Sequence, residues 1–236
     1  MVLYMATLGV AMSFTNKAPG GKLAIVFDHY AGNQLLQFDS VIYKNGMGQS
    51  YTVTKFKYYV GNIHLKRKSG QGVDFNEYYL INEEEEESKR IMLEQIPSGE
   101  YTGIEFIVGV DSMHNCSGAQ SGVLDPVNAM FWTWNTGYIF LKLEGKSPDS
   151  KSPGNIFEYH IGGYKQPANC IRKISLDFNK PLSPEKIKEL HIKVDIAEIL
   201  KAKTIIDFSK LSSVTDFHNA TTIADNYMDM FSMAKY

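Results

Sequence analysis

The long β-type run at residues 51–66 limits what this chain can fold into more than any other feature. Aromatic and β-branched side chains dominate it, and both favour extended, half-buried backbone. Gly61 interrupts the run and predicts a bulge or a close backbone approach there. Its apolar members are Tyr51, Val53, Phe56, Tyr58, Tyr59, Val60, Ile63 and Leu65.

Shorter runs of the same kind recur along the chain and predict further strands. In residues 101–110 the apolar side chains alternate, which marks one inward face. Prolines separate the later runs, where breakers are expected. The predicted strands are residues 23–30, 51–66, 77–82, 101–110, 138–143, 156–161, 171–178 and 190–196. The sequence therefore predicts an all-β fold, an antiparallel β-sandwich with a long inserted loop and a short C-terminal helix.

The C-terminal helix is predicted from spacing. Thr222 is a suitable N-cap, and apolar residues from Ile223 to Ala234 recur at helical intervals. The inserted loop is residues 111–130, the longest stretch without periodicity, and loops of that length in compact domains are usually functional. The acidic run Glu83 to Glu87 is expected to remain a solvated loop because its charges repel one another.

Composition and motifs exclude several functions. The formal net charge of -2 provides no field that would attract nucleic acid. The sequence contains no phosphate-binding glycine loop, nucleophile elbow, HExxH motif or CxxC motif. No carboxylate pair stands out as an acid and base, so spacing alone neither supports nor dismisses a glycosidase. We expect a binding protein and not an enzyme.

The N-terminus predicts export. Residues 2–12 form an apolar run ahead of a polar stretch, which is typical of a signal peptide, although no basic residues precede it. We accordingly divide the chain into a signal-peptide remnant with linker (1–21) and one domain (22–236). No other segment is apolar and long enough to cross a bilayer. Because an exported chain would be oxidised, we expect Cys116 and Cys170 to form a disulfide; copper ligation by their thiolates is the alternative.

Three histidines are candidate metal ligands. His29 and His160 each end a predicted strand beside glycines, and His114 lies in the inserted loop. Taken singly, each is more often a structural histidine than a ligand. His29 shares the parity of the apolar residues of its strand, whereas His160 has the opposite parity to its apolar neighbours. We predict that His29 and His160 approach one another at one rim of the sandwich.

The tryptophans Trp132 and Trp134 follow the inserted loop directly, inside the segment MFWTWNTGY at residues 130–138. With the segments at 51–63, 109–112, 118–126 and 157–163 (FEYHIGG), this chain resembles the MbnP-like family. The family consists of secreted or periplasmic β proteins associated with methanobactin operons. The resemblance extends from residue 23 to the C-terminal helix.

The resemblance implies a copper site, with Cu(I) preferred over zinc. In that site, histidine nitrogens lie near a tryptophan that a di-haem, MauG-like peroxidase has oxidised to kynurenine. Transferred to this sequence, the resemblance makes Trp132 or Trp134 the oxidised residue. His160 is then the first candidate ligand, His29 the second and His114 the third. The implied location is the periplasm or cell surface.

Two alternatives remain open. The chain would otherwise be a redox partner whose tryptophan is the substrate of the di-haem enzyme, with the metal incidental. The second alternative is a binding module that uses no metal and presents the inserted loop to a ligand.

Overall fold

The structure, a computed structural model, describes residues 20–132 and 137–234. Strands dominate it, and the helices are short. The strands are β1 (Gly21–Ala31), β2 (Gln34–Leu35), β3 (Tyr43–Lys44), β4 (Ser50–Arg67), β5 (Val73–Asn82), β6 (Arg90–Ile96), β7 (Tyr101–Val108), β8 (Phe131–Trp132), β9 (Gly137–Lys146), β10 (Ile156–Gly162), β11 (Arg172–Leu182), β12 (Glu189–Asp195), β13 (Ser213–Val214) and β14 (Phe231–Met233). The α-helices are α1 (Ser112–Cys116), α2 (Ile196–Ile199) and α3 (Ala220–Tyr227), and the 3-10 turns are Glu86–Lys89, Gly122–Leu124, Pro126–Asn128 and Pro153–Asn155.

These strands form two sheets packed face to face. The smaller sheet has the order β14-β12-β1-β2, with β6 also paired to β1. The larger sheet has the order β11-β7-β4-β9-β10-β13, with β3 and β5 added on β4 and β8 on β9. This confirms the predicted all-β sandwich. Most pairs are antiparallel as expected, but β1 with β12 and β10 with β13 are parallel.

Aromatic rings fill the space between the sheets. Phe27 of β1 meets Tyr58 of β4 and Phe106 of β7 edge to face, at centroid distances of 6.2 and 6.0 Å. Phe231 of β14 packs on Phe106 at 5.1 Å. Such edge-to-face contacts match the charge distribution of aromatic rings. The alternation predicted for residues 101–110 is confirmed, since Ile104, Phe106, Val108 and Val110 are all buried.

The C-terminal prediction is only partly right. The helix begins at Ala220, after Asn219 at the N-cap, and ends at Tyr227. Phe231 belongs to β14, where it pairs with Val194 of β12. Strand pairing supplies backbone hydrogen bonds and buries the Phe231 ring, so tertiary packing overrides the helical spacing of the segment.

The hydroxyl of Tyr51 gives a test of the core. It is the one buried side-chain polar atom without a hydrogen-bond partner among the described residues. An unsatisfied buried hydroxyl is unfavourable, so we expect Tyr51→Phe to leave stability unchanged or raise it by about 1 kcal/mol. Urea unfolding measures this. Tyr59→Phe is the matched control on the same strand: the Tyr59 hydroxyl donates to the Val123 carbonyl at 2.9 Å, so that variant should lose stability. Equal losses in both variants would contradict the prediction.

Candidate functional site

His160 lies on the outer face of the larger sheet. Its neighbours Tyr159 and Ile161 in β10 are buried between the sheets, so His160 points the other way. Directly opposite it on β9 is Lys142, which in turn lies opposite Lys57 of β4. Cross-strand neighbours share a face. The opposite parity predicted for His160 is therefore confirmed.

A carboxylate orients the imidazole of His160. The Nε2 atom lies 2.8 Å from Oε1 of Glu144, which belongs to the same face of β9. This hydrogen bond from His160 holds the pKa of Glu144 below its usual value, against the opposing effect of burial. With the proton on Nε2, the lone pair of a neutral imidazole is on Nδ1. Nδ1 has no hydrogen-bond partner among the described residues. A histidine held this way has the arrangement common in metal ligands.

Trp132 packs against the end of the His160 strand. Its ring covers Gly162, so closely that a Cβ added there would lie 2.6 Å from the Trp132 Cζ3 atom. On its other side the ring meets Phe217 edge to face at 5.8 Å. Gly162 is two residues beyond His160, and residues two apart on a strand are about 7 Å apart. The structure thus brings Trp132 beside the strand segment of His160. Trp134 lies outside the described residues.

The inserted loop, residues 111–130, folds over the outer face of the larger sheet and delivers Trp132 to this position. It is not structureless, because it contains α1 and two 3-10 turns. Three side chains of the larger sheet donate hydrogen bonds to backbone carbonyls of this loop. Tyr59 donates to Val123 at 2.9 Å, Tyr138 to Leu124 at 2.9 Å and Lys142 to Ala129 at 2.6 Å. We call residues 111–130 the cover loop.

Sequence reasoning missed these three anchors. One signal was present for Lys142, the single charged residue in the apolar segment YIFLKL at 138–143. Lys142 is only 8% exposed, and a lysine is seldom so buried without a specific partner. Burial lowers its pKa below the usual value.

His29 occupies the interior, not a rim. It is 3% exposed, with Nδ1 2.6 Å from Oε2 of Glu83 and Nε2 3.0 Å from the Tyr58 hydroxyl. Burial raises the pKa of Tyr58 well above its usual value, so its hydroxyl keeps the proton and donates to Nε2. Nδ1–H then donates to Glu83. Burial also lowers the pKa of His29, although the Glu83 carboxylate opposes this shift. His29 is therefore neutral and satisfied on both nitrogens.

The partner of His29 also corrects the prediction for the acidic run. Glu84 to Glu87 are exposed as expected, but Glu83 is partly buried. Burial alone would raise the pKa of Glu83; the hydrogen bonds from His29 and Lys89 outweigh it and hold the pKa below its usual value. The first residue of the run is thus part of the core network.

The predicted approach of His29 and His160 is not what the structure shows. Tyr58, the partner of His29, points between the sheets, whereas its neighbour Lys57 shares the outer face with His160. The larger sheet therefore separates the two imidazoles. A register slip of one residue would exchange these faces, and the apolar pattern of β4 forbids that slip.

His114 lies in the cover loop. Asp111 caps α1 by accepting from the His114 backbone N–H, and its Oδ1 is 2.9 Å from His114 Nδ1. The Tyr78 ring packs against the imidazole at 4.8 Å, and its hydroxyl donates to Asp111 at 2.7 Å. Across residues 20–132 and 137–234, no three His, Cys, Asp or Glu side chains converge on a position that suits a metal ion.

The predicted disulfide is contradicted, since both cysteines are free thiols. Cys116 is exposed and lies 3.4 Å from the Tyr164 hydroxyl. Cys170 is buried, and its thiol donates to the Ala168 carbonyl at 3.6 Å. Burial raises the pKa of Cys170 to about 12, so it remains protonated. The two thiols face different partners and do not meet.

This architecture defines a class: a β-sandwich whose outer face carries a histidine beside a tryptophan under an inserted loop. A family model described as MbnP matches residues 20–219, and the chain belongs to the MbnP family. Among solved structures it is similar to MbnP from Methylosinus trichosporium, with 13% identity, 79% of each chain covered and a TM-score of 0.54. That similarity concerns the fold. No curated protein matches the sequence.

Proposed function

We propose that this protein binds copper as Cu(I), for storage, delivery or scavenging, and does not catalyse a reaction. The observation that supports this most is the position of Trp132, which packs on Gly162 two residues from His160 in a member of the MbnP family. Imidazole nitrogens suit copper, with zinc the weaker alternative here. Nδ1 of His160 is the first candidate donor among the described residues, with Glu144 as its orienting partner.

The remaining predicted ligands differ in availability. His114 uses Nδ1 toward Asp111, so its Nε2 makes it the second candidate. His29 would have to break both of its hydrogen bonds to bind a metal, so we assign it to the core. An oxidised tryptophan would supply a further donor in this proposal.

Oxidation of Trp132 by a di-haem, MauG-like peroxidase is part of the proposal, as is export to the periplasm or cell surface. Trp132 is nearly buried, and its contact Phe217 is 43% exposed, so an oxidant would approach over the Phe217 side. Among the described residues, no helix has the length and apolarity needed to cross a membrane. Fractionation of the native host, followed by peptide mass measurement of the segment with Trp132, tests location and oxidation together.

Replacement of His160 tests copper binding. We expect His160→Ala to weaken Cu(I) binding by at least about 100-fold, the upper end of the loss that follows when only a partner of a ligand is removed. The site loses its nitrogen donor, while the melting temperature should change little. Anaerobic competition with a Cu(I) chelator and thermal melting are measured on the same samples. His64→Ala is the matched control: His64 is also partly exposed and also bonded to a carboxylate, that of Asp74 at 2.6 Å. Unchanged Cu(I) affinity with a clearly lower melting temperature would show that His160 is structural.

A further inference from the structure

The larger sheet extends past the smaller sheet at the edge formed by β5. Three residues of β5 face the space between the sheets, because each pairs across the strands with a buried residue of β4. The pairs are Val73 with Leu65, Phe75 with Ile63 and Tyr79 with Val60. The β4 members are at most 1% exposed, whereas the β5 members are only partly buried. The smaller sheet therefore covers β4 but stops short of β5.

The strand of the smaller sheet beside this overhang is β6. It pairs with β1 on one side and, among the strands of the described residues, with none on the other. Its Ile91 and Leu93 are buried, whereas Met92 between them is 46% exposed. Residues of β5 and β6 together line a groove of about 490 Å³. The unpaired edge of β6 therefore presents backbone N–H and C=O groups next to an apolar surface.

The dimensions of sheets allow one further strand in this groove. Neighbouring strands lie about 4.8 Å apart and packed sheets about 10 Å apart. A strand hydrogen bonded to β6 would therefore lie over the inward face of β5 and cover Phe75 and Tyr79. Gln95 has a φ of +56°, which interrupts regular extended backbone. Regular pairing along this edge is thus expected over residues 90–94.

The charges of the groove indicate which partner fits. Its lining contains three carboxylates and no Lys or Arg side chain, and the carboxylates are Asp74, Glu77 and Glu94. Two of them have partners outside the lining, since Asp74 is bonded to His64 and Glu94 to Lys22. Glu77 forms no ion pair with the described residues. A second copy of this chain would bring like charges together, whereas a basic segment would meet opposite ones.

We propose that the unpaired edge of β6 binds an extended, basic segment of a partner protein, which adds a strand to the smaller sheet. Apolar side chains at alternate positions of the segment pack on Phe75 and Tyr79. Lys or Arg side chains at the intervening positions lie beside Glu94 on the outer face. Backbone hydrogen bonds supply affinity in this mode of recognition, and alternate side chains supply specificity. The inference is independent of the proposed copper-binding function.

The test uses the full chain and a blocked octapeptide of alternating Val and Lys as the probe. Calorimetry measures its affinity, and amide hydrogen exchange measures where it binds. We expect exchange to slow in residues 90–94 and to stay unchanged in β11, an edge strand of the larger sheet. A Ser–Lys octapeptide, with the same charge but no apolar face, should bind at least about 10-fold more weakly. A Val–Glu octapeptide should also bind at least about 10-fold more weakly.

Two variants test the lining. Glu94→Gln should weaken binding of the Val–Lys peptide roughly 2- to 5-fold. Glu100→Gln is the matched control, because Glu100 is a similarly exposed glutamate bonded to Lys68 at 2.8 Å and lies outside the groove lining. It should leave the affinity unchanged. Phe75→Ala should weaken binding about 10-fold; if that variant fails to fold, the Ser–Lys peptide tests the same apolar contact from the side of the ligand.

The possible results decide the proposal. Tight binding of the Val–Lys peptide with slowed exchange confined to residues 90–94 and their neighbours in β5 supports it. Equal binding of the Ser–Lys peptide, binding without protection of β6, or no binding at about 1 mM overturns it. Protection of β6 in the protein alone, together with a dimer in sedimentation, would show that a second copy occupies the edge and would also overturn it. Cu(I) affinity is measured separately and does not enter this comparison.

Discussion

Replacing His29 with alanine is expected to lower the free energy of unfolding by about 3–5 kcal/mol. The imidazole lies between the two sheets, with both nitrogens hydrogen bonded. Its removal leaves a cavity and deprives the Glu83 carboxylate and the Tyr58 hydroxyl of their shared partner. Among the described residues, Glu83 would keep its ion pair with Lys89, whose Nζ is 3.3 Å away. Urea unfolding at neutral pH measures the loss.

His64→Ala again serves as the control, because His64 is bonded to Asp74 at an exposed position. Its loss should cost less than about 1 kcal/mol. Acid titration of stability provides a second readout. The folded pKa of His29 lies below the unfolded value of 6.5, so below pH 6.5 the unfolded chain binds a proton that the folded one resists. Stability is therefore full above 6.5 and falls with pH toward the folded pKa. A pH slope that persists unchanged in the His29 variant would contradict this assignment.

Replacing Gly162 with valine is expected to destabilise the protein by about 3 kcal/mol and to displace Trp132. A Cβ at this position would lie 2.4 Å from the Tyr138 carbonyl oxygen and 2.6 Å from the Trp132 ring. The carbonyl is backbone and cannot move without disturbing β9, which accounts for the loss of stability. The indole has to shift as well, because it makes a second close contact. Thermal melting and tryptophan fluorescence follow the two effects.

Gly32→Ala is the control for the glycine variant. No atom lies within 4 Å of a Cβ built at Gly32, although its φ of +68° is strained for alanine. We expect a loss of about 1 kcal/mol with unchanged fluorescence. If Gly162→Val proved as mild as the control, Trp132 would not be held by Gly162. The proximity of Trp132 to His160, on which the proposed copper site depends, would then fail as well.

Side-chain periodicity predicts the faces of strands here but not their partners. Parity along β1 and β10 assigned His29 to the interior and His160 to the opposite face, and both assignments are confirmed. Parity also argued against a shared rim, but the glycines after both strands suggested one. To choose between the parity and the glycines, one must know which strands pair across large sequence separations. Side-chain periodicity carries no information about that pairing.

The missed partners of the site share a physical reason. The acidic run predicts that Glu83 is solvated. Its carboxylate is instead hydrogen bonded to the buried imidazole of His29. Lys142 looks like a surface residue within an apolar strand until the cover loop closes over it. The predicted disulfide failed similarly. It was inferred from export and oxidation, whereas the fold turns the thiols of Cys116 and Cys170 toward different neighbours. Each case depends on a loop whose path local sequence does not specify.

The parallel pairing of β1 with β12 has a consequence for folding kinetics. Ala24 lies beside Glu189 in that pair. A strand from the beginning of the domain can therefore form this pairing only after a strand near its end has been synthesised. Closing such a long segment is slow, and chains dominated by non-local pairing fold slowly. During synthesis, β1 remains an unpaired apolar edge on that side until β12 has emerged. The nascent chain is therefore expected to depend on chaperones. A chain that ends before residue 189 would leave this edge of β1 unpaired, and an unpaired strand edge can pair with another chain and start aggregation.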